Sequence, residues 1–390
     1  MLNRRHRIIV FSNACRDKRM RRVFFQRTSR SINRRFREAQ LIAKALRSRA
    51  HPVLAHIVPM RRCNLSCSYC NEYDSFSPPV PTAEMLRRID LLAALDTSAV
   101  TISGGEPLLH PALDDMIVRI RARGMIAELI TNGYLLTPER IKRLTEAGLD
   151  HLQISIDNVM PDEVSKKSLK VLEWLAEYAE FAVNINSVLG SAVRNPEDAL
   201  VIARRASELG FESTVGLIHD GSGQVRPLNE RQQSCFEIIA KLTKAFHTTA
   251  LYHRFHKRLA RGLPNEWHCG AGSRYLYICE EGLVHYCSQQ RGYPAIPLEQ
   301  YSREHLTREY RTIKPCAPYC TIPCVQRVAM IDEIRERPMA ALVCFFPPKA
   351  EDKPLSGLPI WLRMLAWSVG RDSNHTRKLR KLALRFLAVK

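Results

Sequence analysis

The sequence predicts an α/β fold: a partial (β/α)6 barrel of parallel strands followed by a small cysteine-rich C-terminal unit. Three observations carry this expectation. Short β-branched or apolar runs alternate with stretches of helical period between residues 51 and 250, the pattern of consecutive βα units. Helix-start and helix-stop residues fall at the joints between them. Beyond residue 260 the periodicity fades, and seven of the twelve cysteines lie between positions 269 and 344. The chain thus divides into a basic N-terminal segment with an amphipathic helix (1–50), a barrel (51–250), a cysteine-rich domain (260–345) and a basic amphipathic tail (346–390).

Taken in order, strands are expected at Val53–Pro59, Ala99–Ser103, Ile126–Ile130, His151–Ile156, Phe181–Leu189 and Thr214–His219. Amphipathic helices are expected between them at Thr82–Leu95, Leu113–Arg123, Pro138–Ala147 and Pro196–Leu209. Pro138 follows Thr137 and Pro196 follows Asn195, so two helices open with a rigid first residue behind a capping side chain. Gly124, Gly148 and Gly210 stand where helices should stop. A repeated βα order with right-handed crossovers makes a parallel sheet that coils toward a barrel, and six units leave the barrel incomplete. Such folds bind ligands at the C-terminal ends of their strands, so the loops leaving those ends are where chemistry is sought.

Formal charge is +20, unevenly placed. Residues 1–50 hold 16 Lys/Arg against Asp17 and Glu38, a net +14; residues 357–390 hold 8 against Asp372, a net +7; the body between is left at −1. The apolar run Ile360–Val369, broken by Arg363, is about half of the ~20 residues a spanning helix needs, so no transmembrane helix is expected. No secretory leader is recognisable at the start of the chain. A cytoplasmic, reducing setting is therefore expected. In that setting closely spaced cysteines are read as metal or cluster ligands before disulfides.

Directly after the first strand comes Arg61-Arg62-Cys63-Asn64-Leu65-Ser66-Cys67-Ser68-Tyr69-Cys70, with cysteine spacing CxxxCxxC. Three thiolates can hold three irons of a cubane and leave the fourth open to a substrate atom, whereas electron carriers fill all four. Alone, three cysteines also suit a zinc knuckle that lacks one ligand. After the second strand stands Ser103-Gly104-Gly105-Glu106-Pro107. Two glycines let the backbone approach a ligand closely, and the carboxylate and carbonyls accept hydrogen bonds from an ammonium group. Both loops would open on the same rim of one barrel.

With these two motifs, residues 51–220 resemble the radical S-adenosylmethionine (SAM) superfamily, whose core is a partial TIM-like barrel. The resemblance implies that Cys63, Cys67 and Cys70 bind the catalytic [4Fe-4S] cluster, that Tyr69 packs near the adenine, and that Gly104, Gly105 and Glu106 receive the methionine amino group. Thr131-Asn132-Gly133 after the third strand, Ser155 and Asp157 at the end of the fourth, and Asn186 near the end of the fifth match residues that reach the ribose or carboxylate. For Asn132, Asp157 and Asn186 a helix cap or turn is the competing reading. The implied chemistry is reductive cleavage of SAM to methionine and a 5′-deoxyadenosyl radical that abstracts hydrogen from a substrate, with flavodoxin or ferredoxin as electron donor. The protein's own share is to orient one C–H bond and keep quenchers out.

Farther on, Cys269, Gly282 and Cys287 give Cys-x12-Gly-x4-Cys. Apolar runs on either side of Glu280-Glu281-Gly282 read as a hairpin with its turn at the glycine, which brings Cys269 and Cys287 together. This region resembles the SPASM or shorter twitch extension of radical SAM enzymes, which carries auxiliary [4Fe-4S] clusters. Cys316-x3-Cys320-x3-Cys324, followed by Cys344, departs from the full SPASM pattern of CxxC and two wider spacings. One auxiliary cluster is therefore expected, held by Cys269, Cys287 and two of Cys316, Cys320 and Cys324, with Cys279 and Cys344 as further candidates. Four thiolates suit zinc equally well by geometry. Cys15 and Cys235 read as free thiols.

The basic ends read as membrane-seeking. Leu379, Leu382, Ala383, Phe386 and Val389 recur at helical spacing among Arg and Lys, behind an apolar run that holds Trp361 and Trp367. Near the other end Ile32, Phe36, Ala39, Ala43 and Leu46 form an apolar stripe. At about 1 kcal/mol per basic residue near an anionic leaflet, such ends can hold an enzyme reversibly on the inner face of a membrane. Solvated helices packed on the core, or phosphate binding to RNA without a recognisable nucleic-acid module, compete with this reading. The expected function is a radical SAM enzyme acting on an unidentified, lipid-like substrate at the membrane surface. A peptide-modifying SPASM maturase is the alternative, weakened by an Arg-rich N-terminus unlike a leader-binding domain. From a different class stands a non-catalytic iron–sulfur electron carrier, against which the loop Gly104–Pro107 argues.

Overall fold

The computed structural model describes residues 18–336, apart from residues 68, 157–162, 191–192, 194, 219–224 and 243–254, with side chains from residue 29 onward and not over 163–169. Asp157, Cys15, Cys344 and the tail 346–390 lie outside the described residues.

Six parallel strands appear where the apolar runs lie: β1 (Leu54–Ile57), β2 (Ala99–Ile102), β3 (Ile126–Thr131), β4 (His151–Ser155), β5 (Ala182–Gly190) and β6 (Glu212–Ile218). The helices are α1 (Lys18–Arg47), ahead of the sheet, then α2 (Thr82–Ala94), α3 (Leu113–Ala122), α4 (Pro138–Ala147), α5 (Glu163–Tyr178), α6 (Glu197–Glu208) and α7 (Glu230–Leu242). Residues alternate across each strand. Ile57, Ile102, Leu129, Ile154 and Ile185 are buried in one core with Ile89, Met116, Leu144 and Leu172 from the helices. The residues between them, such as His56, Thr101, Glu128, Gln153 and Asn184, face the inside of the barrel and are polar.

Local signals act mostly as expected. Thr137 Oγ1 accepts the Arg140 amide at 3.2 Å, Pro138 fills the first turn of α4, and Gly148 ends that helix at φ +94°. Asn195 does not cap α6 as expected. Its Nδ2 donates to Asp198 Oδ1 at 2.6 Å and its Oδ1 accepts from Arg231 at 3.2 Å, so two charged neighbours outcompete the backbone amides for this side chain.

The cysteine-rich part continues the same sheet. β7 (Tyr275–Ile278) pairs parallel to β1, with Leu54 opposite Tyr275 and Ile57 opposite Ile278, and β8 (Leu283–His285) and β9 (Pro294–Pro297) follow antiparallel. The strand order is β6-β5-β4-β3-β2-β1-β7-β8-β9. The expected hairpin turns at Gly282, at φ +83°, where an added Cβ would stand 2.9 Å from the Arg88 guanidinium. α8 (Arg303–Arg311) and α9 (Pro323–Glu336) complete the described chain.

α1 crosses the N-terminal ends of the strands. Arg37 pairs with Asp150 ahead of β4, Lys44 Nζ lies 2.6 Å from Asp96 Oδ1 ahead of β2, and Arg34 donates to Glu180 O ahead of β5 at 3.3 Å. Arg274, wholly buried ahead of β7, binds both Asp332 oxygens of α9 at 3.1 Å and the carbonyls of Ala45, Ser48 and His51 at 2.9 Å. One guanidinium therefore ties α1, α9 and the sheet together. Among the described residues, no helix is long and apolar enough to cross a membrane.

Candidate functional site

The CxxxCxxC loop leaves the C-terminal end of β1 and is closed at its base by a bridge between Arg62 and Asp74, with the Asp74 amide on Arg61 O at 3.1 Å. The Gly-Gly-Glu-Pro loop, leaving β2 beside it, clamps the entrance. Gly105 N donates to Met60 O and Glu106 N to Arg62 O, both at 2.9 Å. A Cβ on Gly105 would lie 2.2 Å from Arg62 O, and Gly104 adopts φ +115° against Met60 O, so the approach admits only glycines.

Glu106 is fully buried. Its Oε1 accepts from Leu108 N at 2.9 Å and Thr131 Oγ1 at 2.7 Å, and its Oε2 from Asn132 N at 2.9 Å. Burial raises its pKa against the pull of those three donors. Asn132, so held, turns Nδ2 to Asn64 Oδ1 at 2.8 Å and to Cys63 Sγ at 3.6 Å. The Leu65 amide also donates to Cys63 Sγ, at 3.4 Å. Burial raises the Cys63 and Cys70 thiols, and the two lie close enough to feel each other's charge. Tyr69 stands half-buried within the loop. On the far wall Ser155 and Asn186 are register partners on β4 and β5, and Asn186 Oδ1 accepts from Thr214 Oγ1 at 3.0 Å. Asp157, the third residue expected there, is outside the described residues.

The second cysteine group is more deeply placed. Cys269 and Cys287, at the two ends of the hairpin segment, are buried, and burial pushes Cys287 up to about 12. Cys287 and Cys320 each sense the charge of Cys269 and Cys316, so these four form one electrostatic neighbourhood. Cys324 packs against the same buried cluster as Cys269 and Cys287. Its thiol, pushed up to about 11 chiefly by burial, has Arg327, Glu128 and Glu72 as charged neighbours. Cys279 is buried beside the turn, and its carbonyl accepts from Arg88 at 3.2 Å. Cys235, buried on α7, is a free thiol. Among the described residues, no three His, Cys, Asp or Glu side chains already converge as ligands of a metal ion.

The two groups are joined by side chains that the motifs did not flag. Glu280 after β7 pairs with Arg291 at 2.7 Å and with Arg61 of the first loop at 3.3 Å. Burial would raise the Glu280 pKa, but the Arg291 bond and the nearby Arg61 hold it below the usual range. Asn71 Nδ2 donates to Ser288 O at 2.8 Å, and Tyr277 donates to Glu72. Glu128 was missed although strand alternation marks it, since it is a carboxylate at an inward position of Ile126-Ala127-Glu128-Leu129-Ile130.

Comparison with known proteins agrees with this geometry. The family model "Radical SAM superfamily" matches residues 57–225. The PqqA peptide cyclase of Methylocella silvestris is 32% identical over 275 residues, covering 64% of this chain and 70% of that protein. The GTP 3′,8-cyclase of a Synechococcus species is 35% identical over 177 residues, 39% of this chain and 51% of that protein. Among solved structures, Streptococcus suis SuiB bound to precursor peptide SuiA superposes with a TM-score of 0.48 at 14% identity, over 78% of this chain and 69% of that one. The chain belongs to the radical SAM superfamily and is an enzyme whose radical chemistry uses SAM and a [4Fe-4S] cluster.

Proposed function

We propose that the enzyme modifies a peptide. The observation that carries this reading is the polar barrel interior: His56, Thr101, Glu128, Gln153, Asn184 and Thr214 line strands β1 to β6. These groups partly bond one another, Thr101 to Glu128 at 2.7 Å and Asn184 to Thr214 at 2.9 Å, and an acyl chain placed there would seal off the polar atoms still open, His56 Nε2 and Asn184 Oδ1, at a cost of about 1–3 kcal/mol each. A peptide offers matching donors and acceptors. The 275-residue similarity to a PqqA peptide cyclase supports the same choice, because an alignment of that length reaches beyond the barrel core matched at 57–225. The lipid-like substrate expected from the basic ends gives way to the peptide alternative.

In this reading Cys63, Cys67 and Cys70 hold the cluster that binds SAM, and Cys269, Cys287, Cys316 and Cys320 hold one auxiliary [4Fe-4S] cluster. The residues fit these groups. Cys63 already receives two N–H donors, as a cluster thiolate requires, and Cys269 and Cys287, the buried members of the second set, gain a reason to ionise only on binding metal. When bound, the cluster and SAM supply one-electron cleavage and hydrogen abstraction. This chain supplies the positioning: Glu106 fixes Asn132 and through it the Cys63 sulfur, while Gly104 and Gly105 bring carbonyls within reach of the methionine amino group. Ser155 and Asn186 would offer polar groups to the rest of SAM, and Tyr69 would flank its adenine. An external donor of the flavodoxin or ferredoxin kind provides the electron.

The test uses anaerobic enzyme, SAM and reductant with peptide and lipid fractions from cells grown in deuterated medium. Deuterium should enter 5′-deoxyadenosine from the peptide fraction. Transfer from the lipid fraction instead, or from neither, overturns the reading.

A further inference from the structure

α1 is mounted with the N-terminal part of its apolar stripe, Ile32, Phe36 and Ala39, outward, while Ala43 and Leu46 are half-buried. A surface helix ordinarily buries its apolar face and leaves its charges in water. Here the side facing the body is largely ionic: Arg30 reaches Glu180 at 3.0 Å, Arg37 pairs with Asp150, and Lys44 pairs with Asp96. The outward side carries Ile32, 61% exposed, and Phe36, 64% exposed, with exposed Ala39 on the same stripe by the 3.6-residue period. Arg35 and Arg47 are exposed along its flanks. The apolar positions were predicted from the sequence, but Ile32, Phe36 and Ala39 are not used for core packing, which on this helix falls to Leu41 and Ala45.

The charge selects the occupant. Residues 1–50 carry a net +14, so the partner is anionic. The other long segment of this chain, 357–390, carries +7 and is repelled, and a second copy of α1 is repelled in the same way. An apolar stripe between cationic flanks matches the interface of a bilayer with acidic headgroups. We propose that α1 docks the enzyme on an anionic membrane surface through Ile32 and Phe36.

The geometry adds an orientation. α1 lies across the N-terminal ends of β2, β4 and β5, whereas the CxxxCxxC loop leaves the C-terminal end of β1. A docked barrel therefore turns its mouth away from the lipid: the membrane holds the enzyme and does not feed it. This inference is independent of the peptide reading.

The intact protein is floated with vesicles of phosphatidylcholine, alone or mixed with phosphatidylglycerol, beside an Ile32→Glu/Phe36→Glu variant. Wild type should float with the mixed vesicles only and release at high salt, and the variant should partition at least ~10-fold less. Both side chains are exposed, so the melting temperature should not move. Orientation is read by brominated-lipid quenching, which Phe36→Trp should gain and Phe76→Trp, on the 78% exposed side chain near the cysteine loop, should not. No flotation, equal flotation of the variant, binding to RNA or an acidic protein in place of vesicles, or quenching at position 76 overturns the proposal.

Discussion

The two cysteine groups are built differently at their anchors, although Cys316 of the second is exposed and Cys320 half-buried. Cys63, Cys67 and Cys70 lie on a loop at the mouth, partly or fully exposed, and the loop is held from outside by the clamp of Gly104, Gly105 and Glu106. Cys269 and Cys287 are buried against Tyr275, Ala317 and Val328, inside the packing that joins the hairpin to α9. A centre that must admit a cofactor keeps a free face and borrows its rigidity from neighbours. A centre that only holds thiolates can be part of the core, and its ligands are then also structural residues.

This contrast can be broken in several ways. The largest effect is expected from replacing Cys63, Cys67 and Cys70 together by Ala. Release of 5′-deoxyadenosine should fall by ~1,000-fold or more, since the cofactor carries the chemistry. About four of about eight irons per chain should remain after anaerobic reconstitution. A variant that keeps no iron would remove the second cluster from the comparison. Next comes Arg274→Met, which strands Asp332 and three carbonyls in the core and should cost about 3–5 kcal/mol in urea unfolding. Unchanged stability would mean that the junction of α1, β7 and α9 is not what holds the hairpin in place.

On β1, beside the ring of Tyr275, His56 is buried and held neutral, with its pKa lowered to about 4 chiefly by burial. The unfolded chain binds a proton near pH 6.5 and the folded one only near 4, so stability is full above 6.5 and falls as the pH drops through that window. His56→Gln should remove up to ~2 kcal/mol of that acid sensitivity, measured by unfolding at pH 7 and pH 5. A pH profile identical to wild type would show that His56 is not the titrating group. A sharper contrast is expected from Gly105→Ala, whose Cβ would stand 2.2 Å from the Arg62 carbonyl oxygen and should force the loop to shift, at a cost of about 3 kcal/mol or more. Its signature should be weaker SAM binding by the first centre with the second cluster intact. Equal loss from both would erase the distinction between them.

Much of this was legible in the sequence because it is local. The six parallel strands, the Thr137 cap, the Gly148 stop and the Gly282 turn follow from a few neighbouring residues each. Long-range pairing was not legible. Nothing near Tyr275 indicates that it aligns with Leu54, more than two hundred positions earlier, and nothing near Arg274 names Ala45 and Asp332 as its partners. The stripe on α1 was visible as a pattern, but which face meets the body depended on Asp96, Asp150 and Glu180, supplied by distant loops. At the site, the motifs gave Cys63 and Glu106 but not the relay through Asn132, which depends on how β1, β2 and β3 stand side by side.

The register of β7 against β1 sets a dimension. Ile57 and Ile278 are paired at the last residues of their strands, so the segments leading to Cys63 and to Glu280 set out from the same height on adjacent strands, about 4.8 Å apart. Backbone hydrogen bonds along that seam act as a ruler. The roots of the two loops are thus held at one separation by the sheet, whatever the loops beyond them do.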